Sequence, residues 1–419
     1  MNRLAFNSLV LVIANFSNAA LGFVLAVMIG RVLGVEDLGR YTLALSWALG
    51  LSMLADLGLS TLLTREVARQ AEETSRYLTA AVLIKTVISF ALMFFLYVAA
   101  PILSADAASA TAMRIAAPFL YLNALYTSFT AIFRAFQRMT PILVLNTGGL
   151  VIQIGAAWWL LANGRRALEL TALAVAIQLI QVIAAYVIYR AHYRPHLPRR
   201  ALDASFFKTI GRAAFPFAVA GLLGAAQLRA NVLLLGSLLD ARAVGLFGAA
   251  SRWTEATKMI PSGFFGALFP ALSAQTNQPE ALERTFQRAE RVVLLFGVAA
   301  ALLLTLAASP LLGFTFGEAF APAAPVLQTL GWALLPWLWN GVMGLYLYAL
   351  GDEHFVNWIS AAGLVVLLGA GTVCMAQWGA TGAAIAALAS ECCMTILYHR
   401  RCEILRRRRM TWNTLGSMQ

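Results

Sequence analysis

The sequence predicts an all-α membrane protein of about twelve transmembrane helices, with both termini in the cytoplasm. Three observations carry that prediction. The 419 residues are 60% hydrophobic and only 12% charged, about half the charge of an ordinary soluble domain. Apolar runs long enough to cross a bilayer recur from one end of the chain to the other. Lys and Arg fall mostly into alternate gaps between those runs. Folded in water, such a chain would expose large apolar patches, and no gap is long enough to hold a soluble catalytic domain.

Each run reads as a helix because ~20 residues rising ~1.5 Å apiece cross the ~30 Å hydrocarbon core. An open strand edge would leave backbone groups unsatisfied in lipid. The predicted spans are 9–30, 41–63, 80–103, 114–133, 142–162 and 168–189, then 213–238, 244–269, 292–314, 323–349, 355–376 and 380–399. The first follows a short segment carrying Arg3 and lacks a small-residue cleavage pattern, so it reads as a retained helix, not a signal peptide. Turn-forming residues fall between runs at Gly34–Gly39, Pro101, Asn163–Gly164, Gly317 and Gly351–Asp352.

Charge placement sets the orientation. With the N-terminus inside, the cytoplasmic gaps hold 21 of the 31 Lys and Arg residues. These are Arg3, Arg65, Arg69, Arg76, Arg134, Arg138, six from Arg190 to Arg212, Arg284, Arg288, Arg291 and six from Arg400 to Arg409. The outer gaps hold six: Arg31, Arg40, Arg114, Arg165, Arg166 and Arg242. That bias follows the positive-inside rule for an even number of spans. It also accounts for the net charge of +12 without nucleic-acid binding, and Arg406–Arg409 suits anionic lipid headgroups. Cys374, Cys392, Cys393 and Cys402 have neither metal-ligand spacing with histidine nor the pattern of a disulfide framework, so no metal site is expected.

The longest polar interruption, Ala191–Lys208, divides the chain into a six-helix lobe over 1–190, a linker over 191–208, a second six-helix lobe over 209–400 and a basic tail over 401–419. The halves are weakly similar. Gly30 and Gly39 between spans one and two match Gly236 and Gly245 between spans seven and eight, and Tyr41 and Phe247 follow at the same distance. Gly149–Leu150 resembles Gly363–Leu364 later in each half. A six-span repeat keeps both copies in one orientation, as in carriers with a site between parallel lobes.

Several segments resemble polysaccharide-biosynthesis flippases of the Wzx type, in the multidrug/oligosaccharidyl-lipid/polysaccharide exporter superfamily. They are IGRVLGVEDLGRYTLALS (Ile29–Ser46), ADLGLSTLLTREVAR (Ala55–Arg69), FRAFQRM (Phe133–Met139), FPF (Phe215–Phe217), GLFGAASRWTEA (Gly245–Ala256) and GATGAAIAALASE (Gly379–Glu391). The resemblance covers nearly the whole chain. It implies two six-helix lobes around a central cavity that opens alternately to each side. The implied substrate is an undecaprenyl-pyrophosphate-linked oligosaccharide repeat unit, flipped to the outer leaflet of a bacterial inner membrane for O-antigen, capsule or exopolysaccharide synthesis. A polysaccharide polymerase and chain-length machinery are the implied downstream partners, and the chain is expected to work as a monomer. The family often has an acid just after the arginine of span seven; here the stretch reads Arg229-Ala230-Asn231.

Ionisable residues inside spans are costly and mark candidate sites. Arg229, Arg252, Lys258 and Lys85 lie in predicted spans. By helix rise Arg229 and Arg252 both sit ~12–13 Å from the outer surface. Arginine there suits a pyrophosphate because its planar fork stays charged and binds bidentately; a structural pair with a carboxylate is the alternative. Spacing by three also lets Arg252, Glu255 and Lys258 pair among themselves. Lys85, predicted near the cytoplasmic end, is read either as a snorkelling residue or as a substrate contact; Arg31 joins the cationic set or simply sets topology. Glu391, Glu255 and Asp56 are the candidates for H⁺ or Na⁺ coupling, with no other cofactor expected. Asn15, Asn18, Gln227 and Asn231 could bind sugar hydroxyls, although helix–helix hydrogen bonds are the commoner use. Trp158, Trp159, Trp332, Trp337 and Trp339 are read as an interfacial belt.

Some function classes are excluded or disfavoured. No Gly-rich phosphate loop is present, so the sequence encodes no ATP hydrolysis by such a loop. A multidrug cation exporter would want embedded carboxylates rather than a net-positive cluster. A membrane glycan polymerase or ligase would want a large outer loop, and here those loops are short.

Overall fold

The computed structural model describes residues 3–193 and 203–416. Residues 194–202 of the linker and 417–419 of the tail lie outside them. Among the described residues every regular element is helical: α1 (Arg3–Asp56), α2 (Leu59–Arg69), α3 (Thr74–Ala99), α4 (Ala107–Ala135), α5 (Thr140–Ala162), α6 (Ala167–His192), α7 (Ala204–Leu238), α8 (Ala241–Met259), α9 (Ser262–Ala274), α10 (Pro279–Leu306), α11 (Ala308–Thr315), α12 (Ala324–Ala349) and α13 (Glu353–Gly416).

Two helices each contain two crossings. α1 has 54 residues, ~80 Å of rise, more than twice the hydrocarbon thickness. It bends back at Gly34 (φ 84°, ψ −173°), and α13, with 64 residues, does so at Gly379 (φ 57°, ψ −133°). Only glycine adopts these angles without strain. The predicted loop over Gly34–Gly39 is therefore a one-residue kink, after which helix resumes at once.

Other crossings are broken. The second is interrupted at Leu57 and Gly58, whose φ values are 43° and 71°, and the eighth stops between α8 and α9 at Pro261, which has no N–H to donate. Among the described residues eight helices are long and apolar enough to cross, two of them twice. The pair α8–α9, which carries charged residues, and α12, rich in Trp, Tyr, Pro and Gly, bring the described residues to twelve crossings. Predicted boundaries were too tight at several ends. Helix begins at Arg3 rather than 9, at Pro279 rather than 292, and runs on to Gly416 rather than 399. Hydropathy sees the lipid-facing length, whereas these extensions are charged helical turns beyond it.

The chain forms two compact units, Met1–Gly248 and Ala249–Gln419. The division falls later than the 191–208 linker because α7 packs into the first unit. Ile210 and Ala214 of α7 lie in one buried cluster with Leu59, Leu62, Ala80 and Ala81 of α2 and α3. Gly58 abuts the α7 backbone at Phe217 and Ala218. At the charged end of this seam Arg76 stacks over Phe206 at 3.8 Å and reaches Asp203 at 3.7 Å.

Within the first unit α4 is central. Its inward positions are small, with Ala110, Ala112, Ala116, Ala117, Ala124 and Ser128 all buried, so neighbouring backbones approach closely. α3 lies at the edge and is inside-out for a helix of a soluble protein. Leu83, Val87, Phe90, Phe94 and Val98 form an exposed apolar stripe, while Lys85 on the opposite face is 0% exposed.

The internal repeat reappears as packing. In the first unit Gly149 of α5 seats Gln181 of α6, and in the second Gly363 seats Met394 thirty-one residues on. The Gly39 and Gly245 segments meet each other. Gly39 lies against Ala241 and Gly245, and Gly245 lies against the Val35 carbonyl. A side chain at either glycine would strike backbone.

Candidate functional site

Both units bury ionisable groups in apolar helices, and each places them differently. In the first unit the centre is Lys85. Its ammonium pairs with Asp56 Oδ1 at 2.6 Å. It also donates to Ser128 Oγ (2.8 Å), Ser60 Oγ (2.9 Å), the Ala124 carbonyl (3.1 Å) and Thr127 Oγ1 (3.2 Å). Asp56 in turn accepts from the Ser60 hydroxyl (2.5 Å), the Ser60 backbone N–H (3.3 Å) and Thr127 (3.3 Å). The site lies at the break between α1 and α2, which aims the first turn of α2 back at the carboxylate. Burying a lone ammonium costs several kcal/mol, and a hydrogen-bonded counter-ion offsets it. Lys85 therefore does not snorkel: it sits about three turns inside α3 with its head enclosed.

In the second unit the centre is Glu391, in the second crossing of α13. Asn340 of α12 donates from Nδ2 to the Glu391 carboxylate (2.8 Å) and to its backbone carbonyl (3.0 Å). Thr395 donates to Asn340 Oδ1 (2.8 Å) and to the Glu391 carbonyl (2.9 Å). The carboxamide is thus clamped at both ends, and the carboxylate is held by a neutral donor. Lys258 of α8 rests over the Trp337 ring at 4.5 Å. It is near enough to Glu391 and Glu255 for both charges to act on it. Arg252 pairs with Glu255 at 3.2 Å, both partly exposed, as the spacing by three predicts.

The remaining predicted residues are dispersed. Arg31 and Asn15 are exposed on α1. Asn18, Gln227, Arg229 and Asn231 are half-buried on α1 and α7, and the Asn18 and Asn231 side-chain oxygens are enclosed with no hydrogen-bond partner. Trp158 and Trp159 are exposed at the end of α5 as an interfacial pair would be. Trp337 and Trp339 are not belt residues: they lie mid-way along α12, one under Lys258 and the other donating to Glu290 at 2.7 Å. Arg406 also departs from the lipid-facing expectation, because Glu283 (3.1 Å) and the Phe286 ring (4.5 Å) hold it against α10.

Sequence reasoning missed Asn340, Thr395, Ser60, Thr127 and Ser128. Asn340 carried a readable signal, a carboxamide deep in an apolar run. The hydroxyls carried none, since Ser and Thr in membrane helices commonly bond back to their own helix.

Comparison with solved structures gives the same fold across nearly the full length. A lipid II flippase MurJ in an inward closed conformation aligns with TM-score 0.78 at 14% identity, covering 96% of this chain and 90% of that one. An inward-facing multidrug resistance MATE transporter aligns with TM-score 0.74 at 14% identity, covering 95% and 94%. A superfamily transporter from Pyrococcus furiosus, described as having a binding pocket of reverse polarity, aligns with TM-score 0.64 at 14% identity, covering 97% and 95%. Comparison with curated protein sequences finds no match. The family model described as "Polysaccharide biosynthesis protein" matches residues 4–276, well over half of a chain that is otherwise apolar helix, and the protein belongs to that family of multi-pass membrane proteins.

Proposed function

We propose that this chain is a flippase that carries an undecaprenyl-pyrophosphate-linked oligosaccharide from the cytoplasmic to the outer leaflet of a bacterial inner membrane by alternating access. The observation that carries the reading is cationic charge within membrane crossings, at Arg229, Arg252 and Lys258, in a member of the polysaccharide-biosynthesis family. A phosphate-linked substrate entering from the cytoplasmic leaflet would meet partly exposed cations, and arginine keeps its charge at that depth. The enclosed oxygens of Asn18 and Asn231 have no hydrogen-bond partner in this conformation, and a rearrangement that exposed them would let them accept from sugar hydroxyls. Glu391 is the residue proposed for uptake of H⁺ or Na⁺. Its carboxylate is hydrogen-bonded by a neutral carboxamide, with Lys258 acting on it from nearby, whereas Asp56 is paired directly with Lys85. Product would pass to a polysaccharide polymerase and its chain-length machinery, with a single copy of the chain forming the path.

A multidrug cation exporter is the rival reading suggested by the shared fold. Trp337 already carries the Lys258 ammonium on its face, so a ring that would suit a cationic substrate is occupied. In a strain depending on this chain, Arg229→Ala or Arg252→Ala is expected to lower surface polysaccharide more than about ten-fold, a loss of about 1.4 kcal/mol or more, at unchanged protein level in the membrane. Normal polysaccharide in both variants would overturn the assignment.

A further inference from the structure

We propose that Lys85 is a tethered cation. Its ammonium fills a monovalent-cation site, built from oxygens of α1, α2 and α4, that in other circumstances would take an exchangeable ion. The proposal goes beyond the transport reading and stands whatever glycan is carried.

The geometry is that of an ion shell rather than an ordinary lysine pair. Five oxygens surround Nζ within 2.6–3.2 Å: one carboxylate, three hydroxyls and one backbone carbonyl. An ammonium has only three protons to donate, so the site supplies more acceptors than the lysine can use. Three separate helices contribute, and Thr127 and Ser60 also donate to Asp56, fixing the carboxylate that supplies the negative charge. The lysine side chain is fully buried while Asp56 keeps 20% of its surface, so the cage has a mouth on the carboxylate side. The aliphatic stem reaches it from α3, whose other face is apolar and exposed.

Two consequences follow. The Asp56 carboxylate takes up no ion in the working protein, because a covalently attached one is already there. Shortening Lys85 to alanine should open a cage shaped for a primary ammonium with a three-carbon chain.

The test is chemical rescue. Full-length Lys85→Ala protein, purified in detergent, is heated in propylammonium chloride or in tetramethylammonium chloride at equal concentration, with unfolding read by tryptophan fluorescence. Propylammonium is expected to recover at least about half of the Tm lost by the substitution, since it restores both the charge and its hydrogen bonds. Tetramethylammonium, with no N–H, should recover none. Wild type and the Asp56→Asn/Lys85→Ala double variant should respond to neither salt. Equal rescue by both salts, rescue that persists in the double variant, or no rescue at all would each overturn the proposal. A second measurement does not need the alanine variant to fold. In cells, Asp56→Asn/Lys85→Met presents a neutral site of similar volume, and such replacements are often tolerated. Surface polysaccharide within about two-fold of wild type is expected if no ion cycles through the cage; a loss of about ten-fold or more, with normal protein level, means that it does.

Discussion

The two buried carboxylates of this protein solve the same problem in opposite ways. Asp56 is neutralised by an ammonium that cannot leave, inside a shell of hydroxyls closed by three helices. Glu391 is held by a neutral carboxamide, itself clamped by Thr395, while Lys258 stays on a tryptophan ring close by. The first arrangement is suited to holding a broken helix in place. The second holds its acid with a neutral donor and keeps the nearest cation, Lys258, at the range of a charge interaction. Two acids in one membrane protein can thus be held by different kinds of partner, and the partner, more than depth, tells them apart.

That contrast can be broken most severely at Asp56. Asp56→Ala leaves Lys85 charged and enclosed, so stability should fall by about 3–5 kcal/mol, and the protein should fail to accumulate or unfold far earlier in detergent. Accumulation and Tm close to wild type would place Asp56 outside any structural role. Glu391→Gln asks the reverse question. The amide oxygen still accepts from Asn340, so folding should change by less than about 1 kcal/mol, while transport drops about ten-fold or more and loses its dependence on external pH or Na⁺. Transport in proteoliposomes would decide it, and unchanged flux would remove Glu391 from coupling.

The smallest effect is expected where water reaches the charge. Asp106 caps α4, accepting from the Ser109 N–H (2.8 Å) and hydroxyl (2.7 Å), with Arg40 at 3.6 Å. Burial alone would push its carboxyl up, but Ser109 and Arg40 outweigh burial and hold it below the usual carboxylate range. Its stabilisation is therefore complete above about pH 4 and is lost as the pH falls through the lowered value. Asp106→Ala should cost about 1 kcal/mol at neutral pH and progressively less in acid, measured by Tm across that range.

Much of this was legible in the residues. Apolar length and arginine placement specify the crossings, because lipid enforces both on the chain directly. The glycine repeat was readable for a similar reason: backbone contact admits no other residue. Side-chain partners were not. Lys85 looked peripheral because a run of Leu, Ile and Val says how long α3 is but not which face is covered, and its depth was counted from a boundary drawn too late. Trp337 and Trp339 are hidden for the same reason: tryptophan favours span ends, and composition does not tell a span end from the mid-helix positions these two occupy. Arg252 with Glu255 was predictable because both partners lie on one helix. Asn340 with Glu391 was not, since the bond joins residues 51 apart in sequence.

The contact between Gly39 and Gly245 carries one more consequence. Val35 and Ala241 stand in the same relation to their glycines, so each segment meets the other as the other meets it. That reciprocity is the signature of an isologous interface, which in a homodimer forces every substitution to act twice. Joining both copies in one chain removes the penalty. Both segments lie within the first unit, where either can change alone as long as its glycine stays.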